Sequence, residues 1–110
     1  MTNREGEVAD LELELRATDN GTTVVVRGEI DMATAPQLRD LLNRLVHDGG
    51  DSIVLECEHL DFLDSSGIGV LVATTKRLVD GRTITIEAPQ PHVRKVLELT
   101  GVADHITIRP

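Results

Sequence analysis

Aromatic residues are nearly absent: the 110 residues include Phe62 but neither Trp nor Tyr. Such a chain has no platform on which the bases of single-stranded nucleic acid could stack. Lys and Arg are scarce as well, 11 against 19 Asp and Glu, for a formal net charge of −8. Nucleic-acid phosphates are held by clustered cations, so no direct nucleic-acid partner is expected. An acidic surface suits solubility and a basic protein patch. Cysteine occurs once, as Cys57, so no disulfide can close within the chain. It stands in an apolar run and reads as a small buried hydrophobe. No apolar run approaches the length needed to cross a membrane, and Met1 to Glu7 has no apolar signal core. A cytoplasmic protein of one modest domain is expected, without a membrane partner.

What is present is aliphatic and periodic. Residues 1–10 are polar and are expected to fray. Leu11 to Leu15 alternates strictly, as a strand with one wet face does. Asp19-Asn20-Gly21 signals a turn. Thr22 to Arg27, rich in β-branched residues, reads as a second strand hairpinned to the first. Gly28 to Thr34 reads as a loop. A helix opens at Ala33 or Thr34 with Pro36 in its first turn, presents Leu38, Leu41, Leu42, Leu45 and Val46 on one face, and ends at Asp48-Gly49-Gly50-Asp51.

Ser52 to Cys57 is a nearly continuous apolar run, the pattern of a strand covered on both faces. A second helix follows Asp64, with Ile68, Leu71, Val72, Thr75, Leu78 and Val79 on its apolar face and Gly81 as its stop. Thr83 to Glu87 reads as a strand. A third helix runs from Pro91 to Gly101 with Val93, Val96, Leu97 and Thr100 inward, and Ile106 to Ile108 is a last short strand. The order β-β-α-β-α-β-α-β predicts an α/β fold. Its mixed sheet has an antiparallel N-terminal hairpin and is otherwise largely parallel.

Chemistry concentrates in Leu60-Asp61-Phe62-Leu63-Asp64-Ser65-Ser66-Gly67-Ile68-Gly69-Val70-Leu71, where a strand turns into a helix. A serine nucleophile needs a positioned base. His59 stands in the loop before the turn, while His47, His92 and His105 are scattered, and no Gly-x-Ser-x-Gly elbow is present. The histidines lack metal-ligand spacing, and Gly67-Ile68-Gly69 is too short for a phosphate-binding loop. No enzyme activity, metal or cofactor is expected. Asp and Ser are good helix caps, each worth about 1 kcal/mol. One cap would suffice, however, and two glycines weaken the first helical turn. Exposed hydroxyls at a helix N-terminus suit a phosphorylation switch, because the positive end of the helix stabilises the added charge.

Gly28-Glu29-Ile30-Asp31, followed by Asp61 to Leu71, resembles the STAS-domain family of bacterial anti-sigma factor antagonists, over Leu11 to Ile108. The resemblance implies a single STAS domain over residues 11–110. It implies binding of an anti-sigma factor that is also a serine kinase, an ATPase of the histidine-kinase-like fold, with release of a sigma factor. The kinase would switch the antagonist off by phosphorylating it, and a PP2C-type phosphatase would restore it. Ser65 matches the phosphoacceptor and Asp64 its acidic neighbour, with Ser66 a nearby second hydroxyl. Asp31 and Thr34 match a neighbouring loop, and the partner surface is expected to include Asp31, Thr34, Asp64, Ser65, Ser66, Gly67 and Ile68. Many relatives carry a further C-terminal helix, whereas this chain stops soon after its last strand, as expected of a truncated or compact member. Glu58 and His59 have no counterpart in this reading. The alternative is a STAS interaction module of a signalling scaffold or transporter complex, not primarily controlled by phosphorylation.

Overall fold

Alternating apolar residues set the pairing of the strands. The computed structural model describes residues 10–19, 21–48, 52–78 and 81–110. Strand β1 (Leu11–Thr18) runs antiparallel to β2 (Gly21–Ile30), with Leu11, Leu13 and Leu15 opposite Gly28, Val26 and Val24. Helix α1 (Ala35–His47) leads to β3 (Ser52–Leu63), and α2 (Ser65–Arg77) leads to β4 (Ile84–Glu87). Helix α3 (Pro91–Leu99) and a short 3-10 turn (Val102–Asp104) lead to β5 (Thr107–Arg109). The sheet order is β1-β2-β3-β4-β5, parallel from β2 onward. This is the expected α/β order.

Each parallel strand lies next to its predecessor, always further along the sheet. Right-handed crossovers that step in one direction put every helix on the same face. Leu38, Leu41 and Leu42 of α1, Ile68 and Leu71 of α2, and Val93 and Leu97 of α3 accordingly share one core with Val24, Val26, Leu55 and Ile86. The expectation that β3 is covered on both faces is therefore corrected. Ile53, Leu55 and Cys57 are buried, whereas Val54 and Glu56 between them are only half-buried. Among the described residues no helix covers that outer face. It carries polar and paired groups such as Glu14, whose carboxyl lies 3.1 Å from Arg27 and 3.1 Å from Arg16. Hydrogen bonds from Arg27 and then Arg16 hold its pKa below the usual carboxylate value. Burial pushes the Cys57 thiol up to about 12, so it packs as an inert apolar group.

Several boundaries differ from the sequence reading. Strand β2 continues through Gly28, Glu29 and Ile30, which were expected to be loop. Strand β3 continues through Glu58 to Leu63, so His59 lies in a strand rather than a loop. Helix α2 ends at Arg77, with Leu78 already extended, before Gly81. The 3-10 turn had no sequence signal. Pro36 and Pro91 stand in the first turns of α1 and α3, where the missing N–H costs nothing. Gly101 follows α3 with a φ of 81°, the left-handed step by which glycine ends helices. The expected fraying of residues 1–9, the turn residue Asn20, the helix stop at Gly49 to Asp51 and the apolar role of Val79 lie outside the described residues. Asp10, expected to fray with residues 1–9, has its carbonyl held by Glu29 N–H at 2.7 Å.

Candidate functional site

The second half of β3 contains more residues than the strand it pairs with. Between the Val25–Glu56 and Arg27–His59 pairs, Val26 faces both Cys57 and Glu58; between Gly28–Leu60 and Glu29–Phe62, Asp61 is extra. These are two β-bulges, which re-aim a strand near its end. They account for Glu58 and His59: these residues, with Asp61 and Phe62, point outward while Leu60 and Leu63 stay buried. Strand β4 stops opposite Glu56, so among the described residues no strand lies on the other side of this half of β3. Side chains from the start of α3 replace one. Gln90 Nε2 donates to the Glu58 carbonyl at 3.1 Å and to Asp61 Oδ1 at 3.0 Å. His92 Nε2 meets the Asp61 carbonyl, and since a carbonyl only accepts, that nitrogen carries the proton.

At the end of this braced strand, Asp64 caps α2. Its Oδ1 accepts from Ser66 N–H at 2.8 Å and from Gly67 N–H at 3.4 Å. Ser65 is therefore the first helical residue and does not act as the cap. It is exposed, and among the described residues no hydrogen bond engages the side-chain hydroxyl of Ser65 or Ser66. Asp64→Ala is expected to remove the cap and to cost about 1 kcal/mol, measured as a lowered urea midpoint followed by far-ultraviolet circular dichroism.

The neighbouring loop converges on the same edge. Ile30 pairs with Leu63, and Asp64 N–H donates to the Ile30 carbonyl at 3.2 Å. Asp31 and Asp64 thus leave adjacent strands side by side. Asp31 Oδ1 accepts from Ala33 N–H at 2.9 Å and from Thr34 N–H at 3.0 Å. Thr34 precedes α1 but its side chain makes no cap bond. Its buried hydroxyl instead donates to the Glu29 carbonyl at 2.8 Å and accepts from Asp31 N–H at 2.9 Å. Thr34 fastens the loop from within and offers no surface of its own.

Gly67 and Ile68 also turn inward, which corrects their expected place on the partner surface. Ile68 is buried in the core. A Cβ on Gly67 would stand 2.4 Å from Leu63 Cδ1 and 2.6 Å from Ile30 Cγ2, so this glycine lets the helix start sit down on both strands. A Cβ on Gly69 would meet nothing within 4 Å. Ser65, Gly69 and Ala73 lie four residues apart and are all exposed, so they form a flat stripe along the outside of α2. Gly67 is thus a packing residue, whereas Gly69 belongs to the exposed face.

The family model for the STAS domain matches residues 12–110. The chain belongs to the STAS domain family. This STAS chain is 30% identical over 96 residues to an anti-sigma-B factor antagonist of Staphylococcus aureus, covering 86% of this chain and 89% of that one. It superposes with a TM-score of 0.85 on a crystal structure of an anti-sigma factor antagonist from Mycobacterium paratuberculosis, at 30% identity, with 91% of this chain and 86% of that chain covered. The Bacillus antagonist SpoIIAA is similar in both its forms. The unphosphorylated form gives a TM-score of 0.70 at 30% identity, covering 88% of this chain and 87% of that one. The phosphorylated form gives 0.65 at 29%, covering 88% and 90%. No helix among the described residues of this STAS domain is long and apolar enough to cross a membrane.

Proposed function

We propose that this chain is an anti-sigma factor antagonist switched by phosphorylation of Ser65. Unphosphorylated, it binds an anti-sigma factor that is also a serine kinase, and a sigma factor is released. Phosphorylated, it lets go, and a PP2C-type phosphatase resets it by hydrolysing the phosphoserine. The chain acts as substrate and ligand rather than as catalyst, in the cytoplasm. The observation that carries this reading is the division of labour at the turn: Asp64 does the capping, which leaves the Ser65 hydroxyl exposed and unengaged at the first turn of α2. A relative of the same fold that has been solved in a phosphorylated form supports it.

The chemistry is an ordinary phosphoryl transfer. Ser65 Oγ forms a bond to the γ-phosphorus of ATP as the bond to the β-phosphate oxygen breaks, ADP departs, and the hydroxyl proton passes to a base on the kinase. The first turn of α2 then holds the product, since a helix N-terminus stabilises an anion. Incubation with ATP and the anti-sigma factor kinase, followed by peptide mapping in a mass spectrometer, is expected to place one phosphate on Ser65. A phosphate confined to Ser66, or none on a chain that still binds the kinase, would overturn the reading. The second result would favour an interaction module that phosphorylation does not control.

A further inference from the structure

We infer that Met32 and Phe62 are the apolar anchors by which this edge grips its protein partner, and that the partner's matching surface is an apolar recess rimmed by Lys and Arg. The inference rests on the proposed function and specifies the surface through which it acts.

Among the described residues four large apolar side chains are exposed: Leu15 at 51%, Met32 at 79%, Phe62 at 44% and Leu99 at 76%. Single exposed hydrophobes are ordinary. Two of these, however, lie within two residues of the Ile30–Leu63 pair, Met32 on the loop after β2 and Phe62 near the end of β3. Met32 occupies a turn held by three hydrogen bonds, from Ala33 and Thr34 N–H to Asp31 Oδ1 and from Asp31 N–H to Thr34 Oγ1. A pinned turn fixes the backbone beneath its outermost side chain, so little backbone freedom remains to be lost on binding. Phe62 is turned outward by the Asp61 bulge, opposite Glu29 on the helix-free face. Met and aromatic residues are the types that concentrate at interface centres, where a few anchors carry most of the affinity.

Charge identifies the occupant. Neither Gly28 to Leu38 nor Ser52 to Thr75 contains a single Lys or Arg. The edge instead presents Glu29, Asp31, Glu58, Asp61 and Asp64, with His59 and His92 beside them, and Arg27 across from His59 is paired with Glu14. A basic rim would steer encounter and pair with these carboxylates. Over Ser65 itself the kinase must place the γ-phosphate of ATP, so anchors and rim grip around a centre that is already negative.

The test uses the full chain with Ser65→Ala, which keeps it unphosphorylated, against the purified anti-sigma factor kinase in a surface plasmon resonance titration. Met32→Ala and Phe62→Ala are each expected to weaken binding at least tenfold, and Leu99→Ala less than twofold. Raising salt from 50 to 300 mM, which shortens the Debye length to about two-fifths, is expected to slow association. Met32 is exposed enough that its removal leaves the fold intact, checked by an unchanged urea midpoint. If the Ser65→Ala chain binds while Met32→Ala and Phe62→Ala bind as well as it does, the anchors are refuted and the proposed function stands. If the Ser65→Ala chain does not bind at all, the proposed function fails and the inference with it.

Discussion

Phosphorylation of Ser65 is expected to weaken binding to the anti-sigma factor kinase about a hundredfold, and Ser65→Asp at least tenfold. The arithmetic starts from charge. A phosphoserine adds about −1.5 to −2 charges at neutral pH, whereas an aspartate adds one. On this chain the new anion joins Asp31 and Asp64, which leave neighbouring strands side by side at the same edge. On the kinase it meets the phosphates of the nucleotide. A like-charge penalty with lost contact of about 3 kcal/mol is a factor of roughly a hundred in affinity. No refolding is required, because the first turn of α2 can accept the charge where the hydroxyl stands. Ser65→Ala is expected to bind within about twofold of the unmodified protein and to resist inactivation by ATP. Isothermal titration of the four forms at one ionic strength measures all of this. Equal affinity of the phosphorylated and unphosphorylated chains would end the switch hypothesis.

Much of this turn was legible from residue types alone. Three capping residues followed by two glycines between an apolar strand and an amphipathic helix mark a strand-to-helix turn, and the structure has one there. What could not be read was which residue does which task. Capping depends on the extended backbone of Asp64, with φ −113° and ψ −171°, and only that assignment leaves Ser65 unengaged. The outward turn of Glu58, His59, Asp61 and Phe62 was equally hidden. A bulge inserts a residue without changing composition, so period-two patterning breaks down and the segment reads as loop. The open outer face follows from strand order, a long-range property that no local apolar run encodes. A run such as Ile53 to Cys57 is therefore compatible with one covered face or two.

Gly28→Ala is expected to be strongly damaging for so small a substitution, costing about 3 kcal/mol. Two effects combine. Gly28 has a φ of 110°, a region that L-residues occupy only with strain of about 1–3 kcal/mol. A Cβ there would also stand 2.3 Å from the Asp10 carbonyl oxygen and 3.0 Å from its carbon, and these are backbone atoms that no rotamer change can move. The same carbonyl accepts from Glu29 N–H at 2.7 Å, so relieving the clash breaks the contact that ties the start of β1 to the end of β2. At this chain length the loss corresponds to a fall of roughly 12 °C or more in the unfolding midpoint. Gly69→Ala is the control. Nothing lies within 4 Å of the new methyl, and a helix interior gains roughly 0.5–1 kcal/mol from Gly to Ala. With neither Trp nor Tyr to report by fluorescence, urea melts of both variants are followed by far-ultraviolet circular dichroism. A Gly28→Ala chain as stable as the parent would mean that β1 can shift away at little cost. The Gly-Glu-Ile-Asp segment would then hold the Asp31 loop by Thr34 and Asp64 alone. The expected loss instead makes this glycine the point at which the hairpin sets the height of the loop beside Ser65.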